Sequence, residues 1–289
     1  MTLQLNGTTG LTFNDGSLQP SAAINKNIII NGNMNIAQRA TSVTGITTTG
    51  YRTVDRFQQV ISSAGTWTQT QSAEAPTGEG FYNSLKFQCT TANASLAAGA
   101  FNIASTSIEG FNLQQLGYGA AGAKSVTFCF WVRAKKTGTY ILGIYRPTAN
   151  RQISTAYTIS VADTWEKKTI TIPGDTSGAI TNAATEGFRI SWWLGAGSNF
   201  SSGTLQTSWN TLSSATRAVG QVNLADSTSN YFQITGVQLE IGTTATPFEN
   251  LQFGQQLALC QRYFQVLSYA TGTIAAIGAT TSAAAALAH

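Results

Sequence analysis

Apolar and polar residues alternate with a period of two along most of this chain, in short runs separated by Gly, Asn, Ser and Thr, and helical spacing is rare. The alternation predicts strands over Ser84–Cys89, Ser125–Ala134, Thr139–Tyr145, Ala156–Val161, Lys167–Ile172, Phe188–Leu194 and Tyr231–Ile241. A shorter one is predicted over Ile28–Ile30, stopping at Asn31-Gly32. Strands at this density imply an all-β fold, a sandwich or a barrel. The same period assigns faces. Val126, Phe128, Phe130 and Val132 share one face of their strand, and Thr127, Cys129, Trp131 and Arg133 share the other. Phe188, Ile190, Trp192 and Leu194 likewise oppose Arg189, Ser191 and Trp193. The wholly apolar faces belong to the core. Those carrying Trp and Arg point away from it, toward a ligand, a partner or a covering segment.

The two ends read differently. In residues 1–24, Leu3, Leu5, Leu11 and Phe13 alternate with polar residues around the turn signals Asn6-Gly7 and Asp15-Gly16. Each run is too short to bury a face alone, so the segment is expected to pair with another chain, a loose leader being the alternative. Residues 196–230 read as a loop excursion anchored by Trp209, and Phe253–Val266 as a helix. The chain then divides into an N-terminal attachment or oligomerisation segment (1–24), a sandwich (25–248), and a C-terminal helix with a small-residue tail (249–289).

Composition narrows the class. Apolar residues are 42% of the 289, enough for a core, whereas charged residues are only 10%, against roughly 25% in ordinary soluble proteins. Neutral polar side chains carry the solubility, which suits strand faces and turns. The net charge of +4 is spread thinly, with Lys135-Lys136 and Lys167-Lys168 the only doublets; nucleic-acid binding calls for a concentrated cationic stripe. Cys89, Cys129 and Cys260 are odd in number and lack CxxC spacing, which argues against a disulfide framework or a metal knot. No stretch reaches the roughly 20 apolar residues of a membrane span, and the first residues lack a signal-peptide core. Synthesis in the cytoplasm with release by lysis fits that pattern, as does an ordinary cytosolic protein.

Several segments together resemble a domain found in phage and prophage tail-fibre proteins. They are Asn27-Ile-Ile-Ile-Asn-Gly-Asn-Met-Asn-Ile-Ala-Gln-Arg39, Thr53-Val-Asp-Arg-Phe57, Val126–Val132, Asp163-Thr-Trp-Glu-Lys-Lys-Thr169, Ile234-Thr-Gly-Val-Gln-Leu-Glu-Ile-Gly242, Ala245-Thr-Pro-Phe-Glu249 and Leu257-Ala-Leu-Cys-Gln-Arg-Tyr-Phe264. They occur in the order of that domain. The resemblance implies a jelly-roll β-sandwich similar to carbohydrate-binding modules, in a homotrimeric protein displayed on the virion exterior. Residues 1–24 would hold it to other virion proteins, and the sandwich would bind host-surface glycan as part of a tail fibre or spike. Relatives of that domain often continue past the helix into a further small β region, whereas this chain stops at His289. The chain is also short for a long tail fibre, so a capsid-decoration or head-fibre protein is the rival reading, and a polysaccharide depolymerase the third.

Candidate chemistry points to binding. The only histidine is His289, which leaves no His-dependent triad, and no P-loop or Rossmann fingerprint occurs. The acids sit singly, whereas glycoside hydrolysis needs two carboxylates about 5–10 Å apart. No catalytic residue, cofactor or metal is therefore assigned. Sugar rings stack their C–H faces on aromatic rings and offer hydroxyls to planar polar groups, so Trp131, Arg133, Arg189 and Trp193 are the ligand-binding candidates; packing against a loop or a subunit is the alternative. Asp55 and Arg56 admit sugar contact through a bidentate arginine or an ion pair bracing the first loop. Glu240, Glu249 and Arg262 are read as structural.

Overall fold

The computed structural model describes residues 26–268, together with the backbone of the short strands β1 (Gln4–Asn6), β2 (Gly10–Thr12) and β3 (Leu18–Gln19) before them and Ile274–Gly278 after them. In chain order follow β4 (Ser42–Ile46), β5 (Gly50–Tyr51), β6 (Phe57–Ser62), β7 (Thr66–Ser72), β8 (Ser84–Thr91), β9 (Phe101–Glu109), β10 (Val126–Ala134), β11 (Gly138–Arg146) and β12 (Arg151–Ile159). Then come β13 (Glu166–Ile172), β14 (Glu186–Ala196), α1 (Ser198–Ser201), β15 (Asn210–Thr211), β16 (Tyr231–Ile241), α2 (Phe253–Gln261), β17 (Phe264–Ser268) and β18 (Ile274–Gly278). Beyond the backbone of β1–β3, the attachment role expected of residues 1–24 lies outside the described residues, as do the alanine run and His289.

Two antiparallel sheets form a β-sandwich with jelly-roll connections. One has six strands in the order β13-β10-β16-β8-β7-β4; the other has seven, β15-β12-β11-β14-β9-β6-β5. The chain crosses between the sheets repeatedly, so sequence neighbours such as β9 and β10 belong to opposite sheets. Trp192 of β14 marks the junction: its ring meets Phe128 at 6.4 Å and Phe130 at 5.9 Å, both edge-on, and Phe57 at 6.4 Å. Phe128, Phe130, Phe188, Ile190, Leu194, Ile234 and Leu239 are wholly buried with it, as the alternation of their strands requires. Burying each such side chain contributes about 1.5–3 kcal/mol.

Two sequence expectations need correction. Ile28–Ile30 is not a strand: it leads into a turn over residues 30–33. Asn31 adopts a left-handed φ of 61° and is fully buried; its side chain donates to the carbonyls of Ile36 and Asp55 and accepts from the Ile36 amide, all at 2.9–3.0 Å. Those internal bonds replace a sheet ladder. The C-terminal helix ends at Gln261 rather than Val266. Beyond it Phe264-Gln-Val alternates at the strand period, and the chain pairs as β17 with β18.

The 196–230 excursion folds back over the outer face of the seven-stranded sheet. Ile103, Ile141, Trp193 and Ala218 form a second apolar cluster there, joined by Phe101, Phe200 and Leu205. Trp209 anchors the excursion elsewhere: its indole N–H donates to the Pro173 carbonyl at 2.7 Å, and its ring lies 5.9 Å from Tyr118 and 6.4 Å from Phe188.

A candidate ligand cleft on the six-stranded sheet

The outer face of the six-stranded sheet is polar and mostly roofed. On β16, Gln233, Thr235, Gln238 and Glu240 point outward, yet each is almost wholly buried. Two loops cover them. From the 73–83 loop, Glu74 accepts from Gln233 at 2.9 Å and the Asn83 carbonyl accepts from Thr235 at 2.7 Å. From the 243–250 loop, Thr246 donates to Glu240 through its amide (2.7 Å) and its hydroxyl (2.8 Å). Between the loops a cleft of about 460 Å³ remains open, within the range of small-ligand sites.

A β-bulge shapes its floor. Cys129 pairs with Gln238 and Trp131 with Thr235, so Gly236 and Val237 together oppose Phe130. Gly236 has a φ of 61°, and a Cβ there would meet the Phe81 ring at 2.6 Å. Only glycine lets that ring settle on the strand. Phe81 in turn packs edge-on against Phe248 at 5.0 Å, and the two line the cleft with Trp131.

Trp131 is half-buried in this floor. Among the described residues its indole N–H has no hydrogen-bond partner and its ring no aromatic or cationic neighbour. Glu79, Lys167 and Asn250, exposed at the rim, also make no side-chain hydrogen bond there. Gln238 is held at the wall by Glu240 at 3.0 Å, while its side-chain carbonyl accepts from the Glu249 amide at 2.8 Å. Burial pushes the Cys129 thiol up in spite of nearby Lys167, so it stays neutral. The cleft thus combines an uncommitted aromatic plane, two further rings and unengaged donors and acceptors of both charges.

The structure does not bring the four ligand-binding candidates together. Trp131 lines the cleft. Arg133, two residues along β10, is engaged by the Asp163 carbonyl at 2.9 Å and by Glu74 at 3.6 Å. Arg189 and Trp193 lie on the opposite sheet: Arg189 is held in a two-pronged pair with Glu186 at 2.9 and 2.5 Å, and Trp193 is 1% exposed beneath the excursion. Phe81, Phe248, Gln238 and Lys167 are lining residues that strand alternation did not single out. The one available signal was Gly236, a glycine inside a strand of otherwise alternating apolar and polar residues.

The remaining candidates build a clasp closing one end of the sandwich. Asp55, 1% exposed, pairs with Arg39 at 3.2 Å, not with Arg56. Burial raises its carboxyl pKa, against the lowering effect of the Gln38 side-chain hydrogen bond and the Arg39 charge. Arg56 is also buried; it donates to the Ser107 carbonyl and lies 3.4 Å from the centre of the Tyr263 ring, far from the Trp131 cleft lining. Glu249 accepts from the Asn27 amide at 2.8 Å, and Arg262 pairs with Glu109 at 2.8 Å. Among the described residues no group of three or more His, Cys, Asp or Glu is placed to hold a metal ion.

No family model and no curated protein sequence matches the chain. Among solved structures it is similar to the enzymatically active domain of tailspike protein 4 from bacteriophage CBA120 (14% identity, TM-score 0.39), covering 75% of this chain but only 21% of that one. A putative sugar-binding protein from Bacteroides thetaiotaomicron aligns at 13% identity and TM-score 0.39 over 74% of this chain and 99% of its own. A tandem CBM22 domain from Paenibacillus barcinonensis Xyn10C aligns at 16% identity and TM-score 0.35, over 79% and 53%. Superpositions this loose carry no argument about what the cleft binds.

Proposed function

We propose that this chain is a noncatalytic binding module of a bacteriophage particle, a tail-fibre or spike component that engages host-surface glycan through the Trp131 cleft. The observation that carries the reading is Trp131 itself, an aromatic plane left without a protein partner and ringed by free polar groups. The phage assignment is supported by the ordered sequence blocks between Asn27 and Phe264. Noncatalytic action is supported by the lining: Glu79 is the only carboxylate among the cleft residues, whereas hydrolysis of a glycosidic bond needs a pair. Attachment through residues 1–24 and assembly as a homotrimer would multiply weak contacts by avidity.

The test is a glycan array followed by titration calorimetry of the best binder against wild type and Trp131→Ala. Losing a central aromatic anchor costs about 2 kcal/mol, roughly thirtyfold in Kd. Unchanged affinity in the variant would refute the cleft. Failure to bind any glycan, with particle imaging placing the chain flat on the capsid, would replace the reading with capsid decoration.

A further inference from the structure

A second feature lies on the outer face of the seven-stranded sheet. Arg39, Arg52, Arg56, Arg133, Arg146, Arg151, Arg189 and Arg262 each donate from the guanidinium to a protein oxygen. Arg217 is the exception: among the described residues its guanidinium has neither an acceptor nor an ion-pair partner. It is half-buried beside the Trp193 ring, 5.1 Å from the ring centre. Burial and the neighbouring Arg189 guanidinium push its pKa down to about 10. Glu186 is already committed to Arg189 on both prongs, so the positive charge at Arg217 stands uncompensated.

The surroundings suit an oxyanion. Arg217 lines a dent of about 10 Å³ with Trp193, Ser191, Ser154, Gln152 and Tyr145; such a volume admits one water or one carboxylate oxygen. The Trp193 indole N–H and the Ser191 hydroxyl have no hydrogen-bond partner in the described protein, so three kinds of donor line one small space, beside the side-chain carbonyl of Gln152, which is also without a partner. A guanidinium with neutral N–H and O–H donors forms strong, short bonds to a carboxylate. The face around the dent is hydroxyl- and amide-rich. None of the exposed large apolar side chains, Tyr82, Phe111, Val161, Phe253 and Leu259, belongs to the strands or the excursion that build it. That polarity favours a hydrated sugar over a protein surface, whose contact core is apolar.

We infer that Arg217, Trp193 and Ser191 form an anion subsite for the carboxylate of an acidic sugar, a uronate or sialate unit. The subsite occupies the sheet opposite the Trp131 cleft and stands independently of it.

Titrating the full chain with sodium glucuronate, N-acetylneuraminate, glucose and a Glu-rich peptide, followed by ¹H–¹⁵N spectra, tests this. At least one sugar acid is expected to move the Trp193 indole and Arg217 Nε signals saturably, glucose to leave them in place, and Trp131→Ala to change neither result. Arg217→Gln should weaken the acid by about tenfold or more, the worth of a hydrogen bond to a charged group. Its melting temperature should not fall, because Arg217 holds no protein acceptor, and Arg217→Lys should retain part of the affinity. Silence toward both acids, equal response to glucose, or wild-type affinity in Arg217→Gln overturns the subsite. So does a melting temperature several degrees lower in that variant, which would make Arg217 structural. Response to the peptide alone would assign the dent to a protein partner and overturn the sugar reading.

Discussion

Glu240→Ala should loosen the cleft wall and the fold together. Glu240 is 3% exposed, and its carboxylate accepts from the Thr246 amide, the Thr246 hydroxyl and the Gln238 side chain at 2.7, 2.8 and 3.0 Å. Alanine leaves the Thr246 amide without an acceptor, leaves its hydroxyl only the Pro247 carbonyl at 3.5 Å, and removes the shortest of the bonds that the Gln238 NH₂ donates, the others going to the Thr246 and Pro247 carbonyls at 3.3 and 3.4 Å. Hydrogen bonds to a charged acceptor contribute about 1.5–3 kcal/mol each. The three share one carboxylate whose burial is itself costly, so the combined loss comes to about 3 kcal/mol. For a domain of this size each kcal/mol corresponds to about 2–4 °C, giving a fall in Tm of about 6–12 °C. Glu240→Gln should lose roughly half as much, because its carbonyl can still serve one Thr246 donor while its NH₂ opposes the rest. Scanning calorimetry reads the stability, and glycan titration reads the cleft, where Kd should rise several-fold as Gln238 and the Thr246–Phe248 wall lose their tether. A Tm within about 2 °C of wild type would refute the network's weight. A destabilised variant with unaltered glycan affinity would refute its link to the cleft.

Two further perturbations probe the frame. Asp175, 2% exposed, accepts from Arg151 at 2.7 Å, from the Ser177 amide at 3.1 Å and from Arg146, which is itself stacked near Tyr118 and Trp209. Burial alone would raise its pKa, but these bonds and the Arg146 charge outweigh it and leave the carboxyl below its usual value. A depressed carboxylate contributes stability above its unfolded pKa of about 3.9 and loses it as pH falls through the folded value. Asp175→Asn should therefore cost about 3 kcal/mol at pH 7 by stranding Arg146, and the gap from wild type should close as chemical denaturation is repeated below pH 4. A gap that stays constant with pH would exclude the charge as its cause. Gly236→Ala should cost about 2 kcal/mol from its left-handed φ and displace Phe81, reading out as weaker glycan binding by calorimetry; a variant matching wild type in both would mean that the bulge does not shape the cleft.

Much of the core was legible because it rests on alternation alone. Tyr231–Ile241 runs between the residues its pattern indicated. Strands β7 and β9 were not legible, for opposite reasons. β7 reads Thr-Trp-Thr-Gln-Thr-Gln-Ser and looks like a loop, yet Trp67 and Gln69 are fully buried. β9 is an interior strand of its sheet and covered on both faces, so it shows no polar side to alternate with an apolar one. Its Ser105 and Thr106 are buried by donating to the Ile190 and Arg56 carbonyls at 2.8 Å. Hydroxyls that satisfy themselves on the backbone are invisible to a hydrophobicity pattern. Trp193 fails differently: its outward parity was right, but the cover comes from Phe200 and Ala218, and nothing local to the strand announces a loop that folds back onto it.

The segments that resemble the tail-fibre domain supply both the clasp and much of the cleft, whose lining includes Cys129, Trp131, Lys167, Gly236, Gln238 and residues 245–248. A Cβ on Gly32 would meet the Val237 carbonyl at 2.0 Å, and the backbones of the two residues bond at 2.9 Å. Lys26 reaches Pro247 at 2.8 Å, Gln38 reaches the Phe264 carbonyl at 2.8 Å, and Arg39 stacks 3.5 Å from the centre of the Phe264 ring. Segments more than 200 residues apart are thereby locked together, so the chain must complete β16 and α2 before its first turn is secured. The same lock fixes the 243–250 loop, and that loop is one wall of the cleft. The floor is set by Trp131 and the bulge, whereas the side chains of the rim residues Glu79, Lys167 and Asn250 make no hydrogen bond among the described residues. A frame held by glycines, buried ion pairs and stacked arginines does not depend on those three side chains, so substituting them is expected to leave the fold intact while changing the charge and donors at the cleft mouth.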